Sequence, residues 1–228
     1  MAIRRGTIYH FTTPGGAIGH LVLTNDQWND ADTKDTSGAL IYPEEAPGRV
    51  AIPGTPVFAG PLFATPKATL TNAMGDLSVA QLRPVEDLVR DVLAIPSLTS
   101  TTPRAPSGVP GTITYPRWAQ IYNAGPPPGT PPQTKRRVVV SRDEYNRAVK
   151  GAICVTTTTS PHRGGQGFPT LSDGTKAACM VATFLPNATI RFDARQVRTD
   201  PGQFFTPDMA TISVGLAEAF DLTSLAGA

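Results

Sequence analysis

The sequence predicts a mainly β protein with some α-helix, built as two copies of one small domain. Three observations predict it. Residues 138–148, VVVSRDEYNRA, echo residues 21–31, LVLTNDQWNDA, at an offset of 117 (138 − 21), and two further matched words keep the same order. These are TIYHFTTPGG from Thr7 against QIYNAGPPPG from Gln120, and AQLRP from Ala80 against ARQVRT from Ala194. Next, 23 Pro and 21 Gly in 228 residues cut the chain into short β-prone runs separated by turns. Finally, each copy closes on one stretch whose apolar residues recur at helical spacing. A lobe of about 100 residues has the usual size of a domain but is marginal alone. The copies are therefore expected to pack as an intramolecular pseudo-dimer. The repeat sets the boundaries at residues 1–96 for the first lobe, 97–113 for a linker and 114–228 for the second lobe.

In chain order, residues 6–11 (GTIYHF) read as a strand bounded by TTPGG, and residues 21–24 as a second strand. Residues 25–29 (NDQWN) carry turn formers and an aromatic expected to plug the end of a barrel. Residues 39–42 form a third strand stopped by Pro43; short strands are expected at 49–52 and 57–63 within a proline-broken stretch, then at 68–72 and 77–82. Pro84 suits the first turn of a helix with Val85, Leu88, Val89 and Val92 on one face, and Glu86 and Asp87 near its positive end. Residues 97–111 are a Ser/Thr/Pro/Gly linker. The second copy offers strands at 118–122, 138–141, 152–159, 177–185, 189–192 and 194–199. A helix at 207–222 follows, with Met209, Ile212, Leu216, Ala219 and Phe220 at helical spacing.

With 17% charged residues and a net charge of +2, the composition is that of an ordinary soluble protein. No apolar run approaches a membrane span, and MAIRRGTIY lacks the apolar region of a signal peptide, so a cytoplasmic protein with no membrane partner is expected. Cys154 and Cys179 lie in apolar or small-residue segments and read as buried thiols rather than a disulfide. No cluster has metal-ligand spacing, and there is no phosphate-cradling glycine loop or Ser-His-Asp set, so no cofactor is expected.

The ordered set of words resembles the MazF/PemK toxins and the wider group that includes CcdB. The matching residues in the first copy are RRGTIY (residues 4–9), LVLTNDQWN, SVAQLRPV and the helix that follows. In the second copy they are QIY, KRRVVVSRDEYN, ICVTTTTS, FDARQVRTD and GLAEAFDL. The resemblance covers nearly the whole chain apart from the linker. It implies two SH3-like β-barrels, each with a C-terminal helix, fused so that one chain supplies what the family builds from two identical subunits.

It also implies chemistry. Such toxins cut single-stranded RNA without a metal: the ribose 2′-OH attacks the adjacent phosphate, which needs a base, a cation against the charge building on phosphorus, and polar groups that hold the backbone. The family's Arg-Pro step falls on Lys135 and Arg136, and its hydroxyl residues fall on Thr158, Thr159 and Ser160. The catalytic set implied is Lys135, Arg136, Thr158 and Thr159, with Arg137, Ser160, His162 and Arg163 as RNA contacts. Lys for Arg gives up the planar two-pronged fork, for which Arg136 is the neighbouring substitute. In the first copy Ile18 and Gly19 stand at the Arg-Pro step, and Glu44 and Glu45 stand where the hydroxyls belong, so that half-site reads as dead.

Each of these residues has a plainer reading beside it. The KRR step equally suits a solvated edge that guards a strand, the threonine run suits a strand by propensity alone, and a lone loop histidine such as His162 is usually just exposed. Two functions compete: a growth-inhibiting toxin that cuts RNA at its second lobe, and a catalytically dead relative that inhibits growth by binding a host macromolecule. An inert interaction module is the third. The partner is thus single-stranded RNA or a host protein. Unequal lobes also predict weak binding of the family's usual acidic antitoxin peptide, as suits a phage or mobile-element toxin.

Overall fold

The computed structural model describes residues 2–30, 34–93, 95, 116–124, 135–159, 167–186 and 206–222. Its architecture is mixed α/β, with an antiparallel sheet curled strongly into half a barrel and, among the described residues, four α-helices. In the N-terminal half, β1 (Thr7–His10), β2 (Gly19–Val22), β3 (Asp35–Tyr42), β4 (Val50–Ala51), β5 (Phe58–Pro66) and β6 (Ala73–Asp76) lie in the order β4-β5-β3-β2-β1-β6. The helix α1 (Asp26–Asp30) follows β2, and α2 (Val79–Val92) follows β6. In the C-terminal half, β7 (Ile121–Ala124), β8 (Lys135–Val139), β9 (Gly151–Thr158) and β10 (Lys176–Ala177) run in the order β10-β9-β8-β7, and β11 (Thr183–Pro186) also pairs with β9. There α3 (Asp143–Val149) follows β8, and α4 (Thr206–Ala219) is the last element. No helix among the described residues is long and apolar enough to cross a membrane.

The two halves share one ladder register. Ile8 faces Leu21 as Ile121 faces Val138. Val22 faces Gly38 as Val139 faces Cys154, and Asp35 faces Pro66 as Gly151 faces Pro186. The nine-residue β5 is answered by two shorter pieces, β10 and β11, parted by a 3-10 turn at Cys179–Val181.

The polar letters of the repeated word have the same job in both halves. Thr24 Oγ1 donates to Asn29 Oδ1 at 3.0 Å and Asn29 Nδ2 returns a bond to the Thr24 carbonyl at 2.8 Å. Ser141 Oγ and Asn146 repeat this, with Asn146 Nδ2 to the Ser141 carbonyl at 3.0 Å. Asp26 Oδ1 accepts from the Arg5 backbone N–H and Asp143 Oδ1 from that of Trp118, each at 2.7 Å. The hydroxyl, Asp and Asn therefore recur because together they satisfy the backbone where a strand turns into a short helix. These segments are helices α1 and α3, so residues 26–30 are helical where turn formers were expected at 25–29.

The halves interlock reciprocally. The Asn25 N–H donates to the Ala219 carbonyl at the end of α4, and the Arg142 N–H donates to the Val92 carbonyl at the end of α2, both at 2.9 Å. Arg142 also pairs with Asp91. Trp28 does not plug a barrel; its ring packs across the interface on Gly167 and Phe168, and its counterpart Tyr145 packs on Gly48. Both glycines are left-handed, with φ of +76° and +79°. One continuous core joins Leu21, Ile41, Val85 and Val89 to Val138, Ile153, Ile212 and Leu216.

Several expected boundaries move. The helix α2 begins at Val79, five residues before Pro84, because Ser78 and Gln81 form a reciprocal capping box. Residues 79–82 are thus helical rather than a strand; Leu82 extends the buried stripe of Val85, Val89 and Val92, and Pro84 lies inside the helix. Glu86, placed deeper in the helix than expected, is buried and paired with Arg5. Residues 67–69 form a 3-10 turn, and the strand follows at Ala73–Asp76. Trp118 and Ala119 turn before β7, Ala119 at a φ of +67° where the N-terminal half has Gly6 at +84°. The Ala119 N–H donates to the Val139 carbonyl and the Gly6 N–H to the Val22 carbonyl, both at 2.9 Å. Cys154 and Cys179 are free and buried. The linker at 97–113 and the strands expected at 189–192 and 194–199 lie outside the described residues.

Candidate functional site

The side chains of β8 alternate between two faces. Val138 enters the common core, whereas Val139 packs on the opposite face with Ala152, Cys154 and Leu185. Arg137 therefore shares the outer face with Val139, directly across from Thr156, and its guanidinium donates to Thr156 Oγ1. Burial lowers the Arg137 pKa and nearby Cys154 opposes the shift. Burial also pushes the Cys154 thiol up to about 12, so it is an inert neighbour rather than a nucleophile. Arg137 Nε is buried with no partner among the described residues.

Of the other sequence-predicted residues, Lys135, Arg136, Thr158 and Thr159 lie on or beside the same two strands. Lys135 starts β8 opposite Ala124, and Arg136, exposed, stands opposite Asn123. Thr158 ends β9 and Thr159 follows it, exposed. Ser160, His162 and Arg163 lie outside the described residues. Strand alternation puts Arg136 and Arg137 on opposite faces of β8.

One residue escaped the sequence reading. Lys176 on β10 pairs directly with Thr158. Nothing in its local sequence marks it, because only strand pairing brings it there. The ladder thus sets Arg137, Thr156, Thr158 and Lys176 in a row across β8, β9 and β10. Among the described residues no carboxylate forms an ion pair with Arg136, Arg137 or Lys176. Two cations, Arg137 and Lys176, and a line of hydroxyls on one face of a sheet can bind oxyanions.

The equivalent row in the N-terminal half holds no lysine, arginine, serine or threonine. By register, His20, Leu40, Tyr42 and Phe58 take the four places, so Tyr42 rather than Glu44 stands where Thr158 does. Leu40 and Tyr42 are buried with Ala17 and are packed by Phe11 and Phe63. Arg49 lies 3.5 Å from the centroid of the Tyr42 ring, and Glu44 and Glu45 are exposed in the loop beyond. His20 is fully buried beneath the edge of Phe11, its Nδ1 3.3 Å from Thr65 Oγ1 and its Nε2 without a partner among the described residues.

Burial lowers the His20 pKa from 6.5 to about 4. Between those pH values the unfolded chain takes up a proton that the folded chain refuses, so stability falls as pH drops from 6.5 to 4 and levels off below. The loss is about 3 kcal/mol in total. Urea titrations at pH 7, 5.5 and 4 should show this slope in the wild type and a flatter one in His20→Gln; equal slopes would mean that other groups govern acid sensitivity.

Among the described residues no group of three or more His, Cys, Asp or Glu side chains is placed to hold a metal ion. No protein-family model matches the chain, and no curated protein sequence matches it.

Proposed function

We propose that the chain is a growth-inhibiting protein of the MazF/CcdB type, two SH3-like lobes fused in tandem, whose second lobe engages single-stranded RNA. The common ladder register, the repeated Asp and Asn bonds and the reciprocal interlock support the duplication. The observation that carries the function is the asymmetry of the two sheet ends. Cations and hydroxyls occupy one, while the matching places of the other hold a buried histidine, a leucine and two aromatics.

In this reading the 2′-oxygen bonds to phosphorus and gives a 2′,3′-cyclic phosphate as the P–O5′ bond breaks. Water takes the 2′ proton and returns one to the leaving 5′-oxygen, while Lys135 and Arg137 neutralise the charge that develops on phosphorus. Thr158 and Thr159 hold the non-bridging oxygens, and the first lobe acts as scaffold. Removing preorganised donors of this kind typically costs 10²- to 10³-fold in rate each. The Lys135/Arg137/Thr158 triple alanine should therefore lose RNA cleavage in EDTA by about 100-fold or more while remaining folded. Expression of the wild type should arrest growth with fragmented RNA, and the triple variant should do neither.

The first-lobe row, which holds no lysine, arginine, serine or threonine, favours one second reading, a catalytically dead toxin that binds a host macromolecule. Growth arrest by both proteins with RNA intact would establish it and remove the nuclease.

A further inference from the structure

We infer that Lys176 contacts substrate and that Arg137, Thr156, Thr158 and Lys176 form a single row binding backbone phosphates of single-stranded nucleic acid. This rests on the reading of the C-terminal half as an RNA-contacting lobe and adds to it a residue and a direction. Residues directly opposed in an antiparallel ladder share a face, as do residues two apart along a strand. Arg137 is opposed to Thr156, Thr156 is two residues from Thr158, and Thr158 is opposed to Lys176. All four thus lie on the outer face.

Adjacent strands are about 4.8 Å apart and two residues span about 7 Å, which puts the Arg137 and Lys176 backbones roughly 12 Å apart with the hydroxyls between them. Long cationic side chains at that separation converge on one phosphodiester or on neighbouring ones, with threonine hydroxyls beneath. The strand would then run across β8, β9 and β10 rather than along them.

Two features separate this from a solvated edge lysine. Lys176 is half-buried, whereas an edge guard is held in solvent, and among the described residues it has no carboxylate to satisfy it. The row also has a built-in contrast, since Tyr42 and Phe58 occupy the Thr158 and Lys176 places in the other half. The cation is therefore not demanded by this sheet position.

The test is the salt dependence of binding to a 2′-O-methyl RNA 12-mer, which cannot be cleaved, followed by fluorescence anisotropy beside a DNA 12-mer of the same sequence. Each phosphate contact on a single strand contributes about 0.7 to the slope of log K against log salt. Lys176→Ala should lower that slope by about 0.7 on both oligonucleotides and weaken binding at low salt by roughly fivefold. Lys176→Arg should restore the slope, and Lys150→Ala, an exposed lysine away from the row, should leave it unchanged.

An unchanged slope in Lys176→Ala overturns the inference even if the wild type cleaves RNA. A lowered slope in a protein that cleaves nothing upholds it while the nuclease reading fails. A wild type that binds neither oligonucleotide overturns both.

Discussion

Arg5→Ala is expected to destabilise the protein by about 3–5 kcal/mol, enough to unfold much of it at 37 °C. Arg5 joins three parts of the molecule that are far apart in sequence. Its guanidinium pairs with the buried Glu86 on α2, donates to the Leu23 carbonyl at 3.2 Å and reaches the Phe220 carbonyl beyond α4 at 3.1 Å. Truncation leaves a carboxylate in the core with its cation gone, and it strands two carbonyls as well. Most of the cost comes from the orphaned charge rather than from the lost attraction. The double variant Arg5→Ala/Glu86→Gln should therefore recover a sizeable part of the loss. Urea denaturation of the two single variants and the double variant measures the coupling. Additive losses would mean that the pair is not a unit.

Gly167→Ala should cost about 2–4 kcal/mol, although it adds only one methyl group. A Cβ there would lie 2.6 Å from Cζ2 of Trp28, a rigid ring atom of the other half, and the backbone at φ +76° disfavours any side chain. Its counterpart Gly48→Ala should cost less. The nearest atom there is Val149 Cγ1 at 2.8 Å, a methyl that can turn aside, and the Tyr145 ring stands off at 3.3 Å. In a Trp28→Ala background the steric part of the Gly167→Ala penalty should vanish, leaving about 1 kcal/mol for the backbone alone. Unfolding should remain one cooperative transition, because a single core runs through both halves. Two transitions in Gly167→Ala would show that the halves are stable apart.

The word VVVSRDEYNRA and its match at residues 21–31 point to a strand followed by a turn, and the structure explains the apolar run, the hydroxyl, the Asp, the Asn and the aromatic. The apolar run is a central strand, and the hydroxyl, Asp and Asn satisfy backbone groups within a few residues. Such contacts are local, so sequence carries them. The aromatic in the word is different. Trp28 and Tyr145 serve the opposite half, and only the packed pair reveals why each meets a glycine. The helix α2 is where its apolar spacing predicts, but its start differs: Pro84 is the louder signal, while the side-chain bonds between Ser78 and Gln81 set the first turn.

At the candidate site the cationic run and the threonine run were legible because each is contiguous. Which of them act together was not. Alternation along β8 parts Arg136 from Arg137, and register across β9 brings in Lys176, eighteen positions from Thr158 (176 − 158), with no sequence signal at all. By itself the sequence determined most of the strands and the local caps, since these depend on neighbours along the chain. Tertiary structure alone decided the interlock of the two halves, the burial of His20 and Glu86, and the cation row, because each is a meeting of residues that only the ladder and the common core bring within reach.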